Sequence, residues 1–230
     1  MRTVEKPFLV FIALAAAYLF CNLLQWETAL FYLKPLLLIP LMLAAFGTKS
    51  FLNKKLLFYA LTFSWAGDIL LLFVFKNPVF FMGGLVSFLI AHILYILLFL
   101  KELNKTSGRF RIKQPGLVLV ILFVIAFYAF LNPYLGGLKI PVLVYALVIS
   151  FMLYVAYLLH FHWPKPASLF LLTGALAFVV SDSLLAVNKF YAPFPNAGFL
   201  VMLTYLYAQG ALVWACLGKR RGMRERVTLL

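Results

Sequence analysis

LTFSWAGDILLL, residues 61–72, sets one carboxylate, Asp68, among aromatic, aliphatic and small side chains. What an acid does in such a setting depends on the solvent around it, and the flanking sequence identifies that solvent. Apolar blocks of about 20 residues, the length that a bilayer crossing requires, follow one another along all 230 residues. Two thirds of the chain (66%) is hydrophobic and 11% is charged, with a mean hydropathy of +1.05, far above the roughly half-apolar composition of a soluble domain. A soluble fold can bury several apolar helices, but not such blocks in series. The expected fold is therefore an all-α integral membrane protein, one polytopic domain over residues 1–230.

Pro, Gly, Asn and basic residues punctuate the apolar runs and predict eight transmembrane helices, over residues 8–24, 29–46, 55–75, 78–100, 115–131, 140–160, 167–187 and 197–217. Arg2 and Lys6 ahead of Phe8 resemble the start of a cleavable signal. No small-residue cleavage site follows and further spans come after, so the first block is expected to be a retained helix.

Orientation follows from the basic residues. Arg2, Lys6, Lys49, Lys54, Lys55, Lys101, Lys105, Arg109, Arg111, Lys113, Lys165, Lys219, Arg220, Arg221, Arg224 and Arg226 all fall on one side of an eight-span arrangement, against Lys76, Lys139 and Lys189 on the other. The positive-inside rule then places both termini in the cytoplasm. The net charge of +14 is accounted for by loops that set orientation and meet anionic lipid, so no nucleic-acid partner is expected. Cys21 and Cys216 are placed toward opposite faces of the bilayer and are not expected to form a disulfide.

A second acid has the same kind of surroundings. In LAFVVSDSLLAV, residues 176–187, Asp182 stands where Asp68 stands in the opening stretch, 114 residues earlier. At that offset Gly84 falls on Gly198 and Tyr95 on Gln209. The third and fourth spans thus resemble the seventh and eighth, either as a parallel 4+4 duplication or as a chance likeness of Leu-rich helices.

Of six acidic residues, Glu5, Glu27, Glu102 and Glu225 are assigned to loops or tails, while Asp68 and Asp182 lie within spans. Each acid costs about 2.5 to 3.5 kcal/mol near a helix centre, so an intramembrane acid is a functional candidate unless it only ties neighbouring helices together. Lys34, about one and a half turns into the second span and followed by Pro35, either snorkels to the outer interface or pairs with Asp68. On the fourth span, Phe88, His92 and Tyr95 share a face, as do Tyr205 and Gln209 on the eighth. With Tyr145, these make up most of the deeply placed polar side chains.

A zinc site needs three or four His, Cys or carboxylate ligands at one place. His160 and His162 are expected at the cytoplasmic end of the sixth span, away from His92, with Trp163 and Lys165 as an interface anchor, so neither metal nor cofactor is expected. The chain has no GxSxG elbow, glycine-rich phosphate loop or CxxC, which leaves serine esterase, nucleotide and dithiol chemistry without support.

KPLLLIPLML at 34–43, FSWAGDILLLF at 63–73, GGLVSFLIAHILYIL at 83–97, PVLVYALVI at 141–149, GALAFVVSDSLLAVNKF at 174–190 and TYLYAQ at 204–209 together resemble the lysoplasmalogenase family, the bacterial YhhN and animal TMEM86 membrane proteins. The resemblance implies an eight-span enzyme of the membrane, in bacteria the cytoplasmic membrane. It would hydrolyse the vinyl ether bond of a lysophospholipid, lysoplasmalogen, to a fatty aldehyde and glycerophosphoethanolamine or glycerophosphocholine. Lys34, Asp68, His92, Tyr95, Asp182, Tyr205 and Gln209 match the family's polar motif positions. Asp68 and Asp182 are the expected acid and base, with Lys34, His92, Tyr95, Tyr145, Tyr205 and Gln209 in supporting or substrate-binding places. Intramembrane acids and a repeat equally mark proton-coupled transporters and flippases, and a non-catalytic lipid-binding or assembly protein is a third reading.

Overall fold

The computed structural model describes residues 2–48, 53–107 and 114–227. Lys49, Arg109, Arg111 and Lys113 lie outside the described residues, as do the side chains of Arg2, Lys219, Arg220, Arg221, Arg224 and Arg226. Among the described residues the chain is helical and has no strand. Helices meet the demand of a bilayer, where every backbone N–H and C=O must find a partner without water. Eight segments are long and apolar enough to cross: Glu5–Leu23, Glu27–Gly47, Lys54–Leu72, Val79–Lys105, Gln114–Tyr134, Gly136–His160, Ala167–Tyr191 and Ala197–Gly218. The eight predicted spans are all present, and the chain is an integral membrane protein. Cys21 and Cys216 are buried, and neither is in a disulfide.

The chain packs as two compact units, Met1–Tyr95 and Ile96–Leu230. The first contains α1 (Arg2–Leu23), α2 (Glu27–Leu33), α3 (Ile39–Gly47), α4 (Lys54–Leu72) and the beginning of α5 (Val79–Ser107). Here α1 packs on α3, and α3 on α4. The approach of α4 to α5 depends on two glycines: a Cβ on Gly67 would stand 2.7 Å from the Phe88 ring, and one on Gly84 would stand 2.9 Å from Leu71. Small residues that let helix backbones approach are the usual means of association in lipid, where burial of apolar surface supplies no driving force. Ser87 Oγ adds a tie, donating to the Phe63 carbonyl at 2.6 Å.

The second predicted span is not one helix. It consists of α2, a 3₁₀ turn at Lys34–Leu36 and α3. Pro35 and Pro40 each lack the N–H that would continue an α-helical ladder, and each ring crowds the carbonyl four residues back. Both prolines stand in KPLLLIP, so the break is written in the sequence, but a reading by length and hydropathy runs straight through it.

The second unit holds the end of α5, α6 (Gln114–Leu131), α7 (Lys139–His160), α8 (Ala167–Ala186) and α9 (Ala197–Val227). α8 packs along α9, α7 on α8 and α6 on α7. At the α8–α9 crossing, a Cβ on Gly174 would lie 3.0 Å from that of Ala211 and 3.2 Å from the Ala208 carbonyl. Beyond Ala186 the helix widens into a π-helical turn, Val187–Tyr191, so this span runs further than residue 187. Phe190 and Ala186 pack on a small core of Leu131, Leu135 and Val142.

Two expectations are corrected. Glu102 is not in a loop: it lies within α5, is only 3% exposed and pairs with Lys105 Nζ at 3.1 Å, one turn on. Glu5 and Glu27 likewise belong to the first turns of α1 and α2. Trp163 is buried, whereas a side chain anchoring the protein at the membrane interface would face lipid.

Candidate functional site

Asp68 meets its counter-ion within its own unit. It sits in the last two turns of α4, 3% exposed. The 3₁₀ turn of the second span brings Lys34 to it, with Nζ 3.9 Å from Oδ1. Of the two expectations for Lys34, snorkelling and pairing, the structure shows pairing. Next to Lys34, the Pro35 carbonyl accepts a 2.7 Å hydrogen bond from Trp65 Nε1. Trp65 and Asp68 are three residues apart on α4 and so share a face. From α1, the buried Tyr18 lies within reach of the Asp68 charge.

Behind this group Ser64, one turn before Asp68, is fully buried and its Oγ has no hydrogen-bond partner. On α5, His92 and Tyr95 are both fully buried. Gly67, adjacent to Asp68, leaves the room that the Phe88 ring occupies.

Asp182 has a different partner. It lies on α8 in the second unit, half-buried, and Tyr145 Oη on α7 donates a hydrogen bond to its Oδ2. The residues beside Asp182 secure α8: Ser181 Oγ donates to the Val201 carbonyl of α9 at 3.0 Å, and Ser183 Oγ to its own Val179 carbonyl at 2.7 Å. On α9, Tyr205 is buried edge-on to Phe178 of α8, with ring centroids 5.6 Å apart, and Gln209 is fully buried.

The predicted constellation thus resolves into two groups. Lys34 joins Asp68, and Tyr145 joins Asp182. His92, Tyr95, Tyr205 and Gln209 all occupy buried positions on the helix faces expected of them. In both groups the partner of the acid comes from the preceding membrane span. Within neither unit do three His, Cys, Asp or Glu side chains among the described residues gather as ligands to a metal would.

Two contributors were not identified from sequence. Trp65 carries a signal, since it stands one turn before Asp68 and a buried indole N–H seeks an acceptor. Tyr18 carries none, because one tyrosine in an apolar span looks like any other.

Fold and site define a polytopic α-helical membrane protein with an acid inside a membrane span of each of its two units, Asp68 and Asp182, each held by a polar partner. The YhhN family model matches residues 29–216, and the chain belongs to that family. It is similar to lysoplasmalogenase TMEM86A of Bos taurus, 32% identical over 87% of this chain and 82% of that protein. It is similar also to lysoplasmalogenase TMEM86B of Mus musculus, 31% identical over 84% and 76%, and to lysoplasmalogenase TMEM86A of Homo sapiens, 31% identical over 80% and 76%. No solved structure matches it significantly.

Proposed function

We propose that this protein is a lysoplasmalogenase, hydrolysing the vinyl ether bond of an alkenyl lysophospholipid within the membrane. The observation that carries the reading is the likeness to proteins named lysoplasmalogenase across more than four fifths of the chain. The polar groups supply what the reaction needs. Protonation of the alkene carbon gives an oxocarbenium-like cation; water adds to it and loses a proton, forming a hemiacetal. The hemiacetal collapses to a fatty aldehyde and the free glycerol hydroxyl, so one water is consumed and the proton is returned.

An acid and a carboxylate suffice, as in paired-carboxylate glycosidases. In this reading Asp182, whose Oδ2 is occupied by the Tyr145 phenol, donates the proton from its other oxygen. Asp68, with an ammonium beside it, is the anionic partner that stabilises the cation and assists water. His92, Tyr95, Tyr205 and Gln209 orient water and the glycerol end of the lipid, while the alkenyl chain lies among apolar side chains. In this reading both termini lie in the cytoplasm, as the positive-inside pattern suggests, the likeness of the third and fourth spans to the seventh and eighth reflects a parallel 4+4 repeat, and a bacterial cytoplasmic membrane is the expected location.

The broken second span favours a second reading, because discontinuous helices beside an intramembrane charge are a hallmark of secondary transporters. The two readings separate in one pair of assays. Purified protein in detergent should release aldehyde from a lysoplasmalogen and none from the matching ester lysolipid. Proton or lipid flux in vesicles with no aldehyde formed would instead support transport.

A further inference from the structure

We propose that Trp65 is a positioning residue that acts through the backbone carbonyl of Pro35 to hold the Lys34 ammonium against Asp68. The proposal rests on the reading of Asp68 as part of the reaction's acid–base pair. Two ties join the 3₁₀ turn of the second span to α4: the ion pair from Lys34 to Asp68 at 3.9 Å, and the hydrogen bond from the Trp65 indole to the Pro35 carbonyl at 2.7 Å. They start from adjacent residues on one side and end on residues one turn apart on the other.

The chemistry of the break makes the second tie necessary. Residues 37 and 38 keep helical dihedrals but belong to neither helix, and α3 begins only at Ile39; the Leu37 amide bonds to the Lys34 carbonyl. The Pro35 carbonyl therefore stands at the mouth of a gap in the ladder, in a medium without water to satisfy it. Trp65 supplies the donor, and its rigid ring, rooted in α4, fixes where the turn can lie. Lysine is a point charge on a flexible four-carbon stem, so its ammonium stays in place only as well as its backbone does. The same helix thus carries both the acid and the group that places the acid's counter-ion. If Trp65 served packing alone, its ring would matter and its N–H would not.

The decisive variants are Trp65→Phe, which keeps a ring and removes the donor, and benzothienylalanine at the same position, which replaces N–H by sulfur at almost unchanged shape. The first readout is residue-resolved acylation of lysines by a small neutral reagent on folded protein. In both variants labelling of Lys34 should rise several-fold toward its rate in Asp68→Asn, while Lys54 and Lys76 keep wild-type rates. The second is turnover: kcat should fall about tenfold with KM little changed, the pattern of misplaced catalytic geometry. Adding Trp65→Phe to Lys34→Met should cost nothing further, since both act on one interaction. Wild-type labelling of Lys34 in the sulfur variant, or a rise at every lysine together, would overturn the proposal whatever the turnover. Full turnover in Asp68→Asn would instead refute the catalytic reading, with Lys34 labelling still deciding the role of Trp65.

Discussion

Lys34 Nζ lies 3.9 Å from Asp68 Oδ1 across a proline-broken membrane span, with 14% of the lysine side chain and 4% of the aspartate exposed. A charge pair so well removed from water is held by its own geometry. Losing one partner leaves the other buried and uncompensated, which costs about 3 kcal/mol. Lys34→Met should lower the thermal midpoint in detergent clearly, and adding Asp68→Asn should restore most of that loss while turnover is lost with the carboxylate. A stability loss that is additive in the double variant would mean that the two groups are not coupled in the folded protein.

Tyr145 touches the other acid and makes a different prediction. Tyr145→Phe keeps the ring on α7 and removes only the donor to Asp182. Turnover should fall about tenfold, less than the roughly 10²–10⁴-fold that a group transferring the proton itself contributes. The thermal midpoint should move little, because α7 and α8 remain packed. Steady-state kinetics and thermal unfolding of the same preparation check both halves.

Gly67 tests the packing beside Asp68. Its missing Cβ is the space in which the Phe88 ring sits, at 2.7 Å, so Gly67→Ala overpacks the α4–α5 contact and should destabilise by about 1 to 3 kcal/mol. Gly47, whose added Cβ would meet nothing within 4 Å, is the control: Gly47→Ala should leave the thermal midpoint nearly unchanged.

Orientation is measurable by single cysteines on a background without Cys21 and Cys216. A cysteine at Lys54 or Lys165 should react with an impermeant thiol reagent only after inner faces are opened, and one at Lys76 or Lys139 in intact cells. The reverse pattern would place the termini outside.

The spans were legible because bilayer thickness sets a length that hydropathy reports directly. What was misread has physical causes. KPLLLIP contains both prolines of the break, yet the four apolar residues between them keep the hydropathy high across it, so Lys34 reads as part of a helix when it occupies a 3₁₀ turn. Glu102 stands in KELNK, which resembles a polar loop, whereas α5 continues to Ser107 and buries the acid against its own Lys105. Asp68, Asp182 and Lys34 were legible as candidates because charge in a span is costly. Their partners were less so: pairing with Asp68 was one of two open readings of Lys34 and Tyr145 stood among the polar side chains, but Trp65 and Tyr18 are selected by tertiary contact.

The central claim is that the two intramembrane acids Asp68 and Asp182 hydrolyse a vinyl ether lipid. Its most direct test is aldehyde release from a lysoplasmalogen by purified wild type, Asp68→Asn and Asp182→Asn, each shown to be folded by its thermal transition. The account predicts steady release by wild type, none from the ester lysolipid, and loss of at least about a hundredfold in each variant. Release at the wild-type rate by either folded variant would contradict it.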